Sequence, residues 1–212
     1  EIVCNWGVNG LASSPFIVGV GPLECRAGDF REIRVIVYNN GTINNFSSGW
    51  KFASYHALSA DTKLYIFTRE SCSDAADEPD FTCTLSGVVY WGFTVMHLRG
   101  GTFGHPHWGG NTPLTGYNAA TQTNLVAPTI TPLRTPCLLV NTYHSIMLSL
   151  TGYTAESAQR LKAYDTSSGT TSLLMTSEYR SSPGAVGTRT VVASTGSAWA
   201  ACTIPYTART YG

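Results

Sequence analysis

Three histidines come close together in this chain: His97, and then His105 and His107 on either side of Pro106. Imidazoles so spaced bind transition metals when a carboxylate or thiolate completes the set. Residues 99–118 supply neither, since they hold no Asp, Glu or Cys. His105 and His107 are therefore expected to hydrogen-bond the backbone or pack on Trp108 in a loop rich in Gly and Pro. Five carboxylates, Glu70, Asp74, Asp77, Glu78 and Asp80, crowd one turn. Hard cations need several such oxygens, but the spacing is not that of an EF-hand loop, and the turn reads as solvated. Glycoside hydrolysis needs two facing carboxylates, and a serine nucleophile wants a Gly-x-Ser-x-Gly elbow. Neither is evident, and no phosphate-cradling glycine loop appears in a strand–helix context. The sequence thus nominates no catalytic residue, no cofactor and no metal ligand, and predicts a protein that is not an enzyme.

The six cysteines, Cys4, Cys25, Cys72, Cys83, Cys137 and Cys202, contain no C-x-x-C pair, and the five histidines lack zinc-finger spacing. An even count in a Thr- and Gly-rich chain reads as disulfides. Cys72 with Cys83 is the expected local staple, worth about 3 kcal/mol if unstrained. Cys4 with Cys25 and Cys137 with Cys202 would follow, among fifteen possible full pairings.

Aromatic rings are the other candidates for function. Trp50, Tyr55, Trp91, Trp108, Tyr117, Tyr153 and Tyr164 include several in loop-like surroundings. Such rings stack on sugars and anchor interfaces at low entropic cost. Trp108 and Tyr117, with His105 and His107 beside them, are the expected ligand or interface residues.

The elements that must position these groups read as strands. The chain has 212 residues, 43% hydrophobic and only 12% charged, with 13 acidic and 13 basic residues. Lysine occurs only at Lys51, Lys63 and Lys162, and polarity comes from 27 Thr and 20 Ser. Thr favours extended backbone. Zero net charge and no basic patch argue against nucleic acid, and low self-repulsion favours association. No apolar run is long enough to span a membrane. A start at Glu1 without Met fits removal of a leader. The triplets at Asn40 and Asn45 are glycosylation acceptors in a glycosylating host.

Residues 32–38 alternate, and Asn39-Asn40-Gly41 signals a turn. Strands are predicted at 63–69, 81–85, 88–98, 125–131, 137–144, 172–179, 188–194 and 198–206, with a long loop over 99–118. The best helical signal is 154–163. The sum is an all-β antiparallel sandwich with little or no helix. Residues 1–24 form an arm or first strand that pairs with a neighbouring subunit, and 25–212 form one domain.

Four motifs in order carry a resemblance: Ala27-Gly28-Asp29-Phe30 with Ser48-Gly49-Trp50; Leu64-Tyr65-Ile66-Phe67-Thr68-Arg69 with Phe81-Thr82-Cys83-Thr84-Leu85-Ser86; Trp91 through Arg99-Gly100 with Pro113-Leu114; and Gly187-Thr188-Arg189-Thr190-Val191 with Ser197-Ala198-Trp199-Ala200-Ala201-Cys202-Thr203-Ile204. The pattern resembles the jelly-roll, concanavalin-like domains of tailed-phage virion proteins and secreted bacterial surface proteins, over roughly residues 20–206. The resemblance implies a two-sheet jelly roll used in capsid decoration, tail or fibre parts, or carbohydrate contact. The expected function is a structural protein of an extracellular particle or filament. Its partners would be copies of itself or a capsid or tail protein. The alternative is a lectin-like module that binds surface glycans. Six cysteines depart from the pattern and suit an exposed particle.

Overall fold

A computed structural model of the chain describes residues 2–12, 16–18, 30–70, 80–87, 89–98, 114–146, 153–155, 160–165 and 171–207. Of the described residues 74% lie in strands and none in a helix. No helix among them is long and apolar enough to cross a membrane. The chain divides into two compact units, 1–102 and 103–212.

The first unit holds eight strands: β1 (Ile2–Ala12), β2 (Phe16–Val18), β3 (Phe30–Val37), β4 (Ile43–Phe46), β5 (Lys51–Ala57), β6 (Lys63–Glu70), β7 (Phe81–Leu85) and β8 (Val89–Leu98). They form two antiparallel sheets, ordered β1-β8-β3-β6-β5 and β2-β7-β4. The winding follows one rule. β1 pairs with β8, β2 with β7 and β3 with β6, as in a long hairpin. The ribbon then rolls so that β8 also meets β3 and β7 also meets β4. These are three of the four pairings of a jelly roll; the fourth, β4 with β5, is replaced by β5 with β6. Ile2–Ala12, expected as an arm or first strand, is a first strand paired to β8 of its own chain. The expected boundary at residue 24 lies outside the described residues.

The two sheets face each other across an aromatic and branched core. Ile33, Val35 and Val37 of β3, Tyr65 and Phe67 of β6, and Phe93 and Val95 of β8 meet Phe81, Cys83 and Leu85 of β7. Each such buried side chain contributes about 1.5–3 kcal/mol. The alternation at 32–38 implies one buried face, yet every residue of β3 is buried. Glu32 and Arg34 occupy the opposite face from Ile33 and Val35 and are 0% and 1% exposed. Their side chains pair at 2.6 Å. After β3 the chain turns as Asn39-Asn40-Gly41 predicts. Asn39 and Asn40 adopt φ of 58° and 59°, and the Gly41 N–H donates to the Tyr38 carbonyl at 3.3 Å, as in a type I′ turn.

The second unit is one antiparallel sheet of β9 (Leu114–Ala127), β10 (Cys137–Ile146), β11 (Tyr153–Ala155), β12 (Arg160–Asp165), β13 (Thr171–Arg180) and β14 (Arg189–Thr207). Its order is β11-β14-β10-β13-β12, with β9 also along β14. Tyr143, Leu125, Leu174, Val191 and Trp199 pack on one face. The two strands expected at 188–194 and 198–206 are one strand, with register shifts against β9 between Val192 and Trp199. Of the helical signal at 154–163 the described residues are 154–155 and 160–163, and they are strand. Its ends lie in β11 and β12, where ladder pairing with β14 and β13 overrides a weak local preference. The end of the expected loop, Leu114–Asn118, is strand; 99–113 lie outside the described residues.

An ion cluster ties β13 to β14. Arg189 donates from Nε to Glu178 Oε2 at 2.6 Å and from Nη2 to Oε1 at 2.9 Å, while Arg180 Nη1 reaches Oε1 at 3.2 Å. Burial alone would raise the Glu178 pKa. Hydrogen bonds and positive charge from Arg189, then Arg180, outweigh it and hold the carboxyl below its ordinary value. A folded value below the unfolded one gives stability that is complete above the ordinary carboxylate range and lost as pH falls through it. Glu178→Gln is expected to cost about 2–3 kcal/mol at pH 7. Urea unfolding at pH 7 and pH 3 checks this: the gap from the native chain should be smaller at pH 3 than at pH 7.

Candidate functional site

Of the four residues expected at a ligand or interface site, His105, His107 and Trp108 lie outside the described residues. Tyr117 is half-buried on β9, opposite Ala200 of β14. His97 is buried near the end of β8, between Cys4 of β1 and Arg31 of β3 in the ladder. Among the described residues no three His, Cys, Asp or Glu side chains gather as a metal site.

The cysteines need one correction. The expected Cys137–Cys202 disulfide is excluded by register, which puts Cys137 opposite Thr207 and Cys202 opposite Thr142. At ~3.4 Å per residue the offset is roughly 17 Å, and an odd offset turns the two to opposite faces. A disulfide requires Cα atoms within about 7 Å. Cys83 and Cys137 are buried thiols, and burial pushes both thiol pKa values up, Cys83 far up. Neither has the lowered pKa of a reactive thiol. The free thiol of Cys83 also overturns the expected Cys72–Cys83 staple, while Cys25, the expected partner of Cys4, lies outside the described residues.

The side-chain arrangement with most chemical character lies on the first unit, at the mouth between β4 and β5. Eight strands divide five and three, because β5 joins β6 rather than β4. The smaller sheet stops at β4, so the inward face of β5 is left open. Phe46 of β4 and Phe52 and Tyr55 of β5 are 39%, 50% and 45% exposed. They ring two buried aromatics of β6. Phe67 lies 4.9 Å from Phe46 and 5.9 Å from Phe52 between centroids, and Tyr65 lies 5.2 Å from Tyr55.

A bulge makes this clustering possible. Phe52 and Tyr55 are three residues apart, which in a regular strand puts them on opposite faces. The register of β5 on β6 shifts between Phe52 and Ser54, so Phe52 falls opposite Phe67 and Tyr55 opposite Tyr65. Bulges re-aim side chains in this way. The Lys63 ammonium bonds the Asn40 carbonyl at 3.1 Å at one end. The Arg69 guanidinium packs against Gly49 at the other, where φ is +85° and a Cβ would collide with it. The Tyr65 pKa is raised by burial, against a backbone hydrogen bond from Ile43.

Sequence reasoning picked out Tyr55 but not Phe46 or Phe52. The bulge and the early end of the smaller sheet, which expose them, leave no local signal. Comparisons with protein-family models, curated proteins and solved structures return no match for this chain.

Proposed function

We propose that the chain is a non-enzymatic structural subunit of an extracellular particle, whether a capsid decoration, a tail or fibre part, or a filament. The observation that carries this reading is the rolled, jelly-roll-like winding of the described strands of the first unit. That architecture recurs in capsid and lectin domains. A second all-strand unit and a chain only 12% charged support it, since low charge opposes association little. Copies of the chain, a capsid or tail protein, or both are the partners of this reading. Sedimentation velocity and negative-stain electron microscopy test it across a hundredfold range of concentration. The expected result is a discrete large species with a repeating subunit. A monomer at every concentration, together with no incorporation into particles from the native source, would overturn it.

A further inference from the structure

We infer that the open aromatic face of β5 and β6 is a binding platform for an acidic oligosaccharide, seated on Phe52, Tyr55 and Phe46 and held by Lys63. The inference stands apart from the assembly reading. It places glycan contact on residues other than Trp108 and Tyr117.

Three observations carry it. First, the rings are exposed yet positioned. Phe52 and Tyr55 each rest against a buried ring, so neither loses much freedom on binding. Sugars present C–H faces that stack on such rings. Second, polar groups border the rings as sugar hydroxyls require. The Lys63 ammonium spends one of its three donors on Asn40, and exposed Tyr55 carries its own hydroxyl. Third, the charge is one-sided. Lys63 and Arg69 alternate with Tyr65 and Phe67 along β6 and share their face, whereas Lys51, opposite Thr68, lies on the other. In a chain of zero net charge that is a local excess of cations. A carboxylate- or sulfate-bearing sugar complements it.

An extended peptide fits the same face less well. Strand addition needs a continuous free edge. The bulge interrupts β5, and the Ile43 hydrogen bond to Tyr65 takes part of the β4 edge.

The test applies the full chain to an array of sialylated, uronate and sulfated glycans beside neutral glycans of the same ring count. Retained glycans are then titrated by calorimetry, alongside an acidic octapeptide with alternating Phe. The expected result is retention of acidic glycans above neutral ones. Tyr55→Ala and Phe52→Ala should each weaken binding at least tenfold, and Lys63→Gln should remove most of the preference for acidic over neutral. Tyr179→Ala, which removes a ring 67% exposed in the second unit, should change nothing. Retention of no acidic glycan, equal retention of neutral ones, or tighter binding of the octapeptide would overturn the inference. So would binding that survives both aromatic substitutions. Lys63→Gln leaves the rings in place and keeps the test decisive if an aromatic variant unfolds.

Discussion

Phe67→Ala is expected to destabilise the chain by about 4 kcal/mol, within the range for deleting a buried Phe side chain. Phe67 is 1% exposed and is the hub of the open mouth. Its ring lies 4.9 Å from Phe46, 4.9 Å from Phe81, 5.9 Å from Phe52 and 6.5 Å from Tyr65. The substitution removes several aromatic pairs, each worth about 0.5–1.5 kcal/mol beyond area. It also leaves a cavity that β7 on one side and β5 on the other cannot both close. At roughly 2–4 °C per kcal/mol for a chain of this size, the melting temperature should fall by about 8–16 °C. Phe52→Ala is the matched control. At 50% exposure its loss should stay within about 1 kcal/mol. Equal losses at the two positions would mean that Phe67 is not the buried partner described here.

The second large effect is expected on β3. Glu32 and Arg34 pair at 2.6 Å on a strand with no exposed residue. Glu32→Ala leaves the Arg34 charge buried without that carboxylate, at a cost of about 3–5 kcal/mol. Taking both charges out of water is itself costly. The double replacement Glu32→Leu with Arg34→Met should therefore recover most of the loss, and neutral or slightly improved stability is within range. Chemical denaturation of the two singles and the double gives the coupling directly. A double variant as unstable as the sum of the singles would contradict the coupling of the two charges.

Much of the strand inventory is legible in the sequence, for a physical reason that also marks its limit. Residues 63–69 and 81–85 carry branched and aromatic residues at period two, and the structure has strands at Lys63–Glu70 and Phe81–Leu85. The central strand Phe30–Val37 and the turn at Asn39-Asn40 are equally readable. β4 and β5 are not. Ile43-Asn44-Asn45-Phe46 and Lys51-Phe52-Ala53-Ser54-Tyr55-His56-Ala57 each contain a register shift, and each is largely exposed. Neither keeps a two-residue apolar rhythm, so the pattern that betrays a strand is missing where the candidate site is built. Order within the sheets is beyond local reading altogether. Ile2 lies opposite Leu98 and Val37 opposite Trp91, and nothing in either segment names its distant partner. The disulfide expectation failed for the same reason: spacing suggested Cys137 with Cys202, while register separates them.

The account rests most heavily on closure of the first eight strands within one chain, with β1 on β8. Leu11 lies opposite Tyr90 in that ladder, so cysteines at both positions are within disulfide reach. Peptide mapping of the oxidised Leu11→Cys, Tyr90→Cys variant, fractionated by size under denaturing conditions, reads the outcome. The account predicts the new bond within single chains, while either single substitution gives none. A bond found only between chains would mean that β1 is an arm donated to a neighbour, and no bond at all would contradict the winding itself.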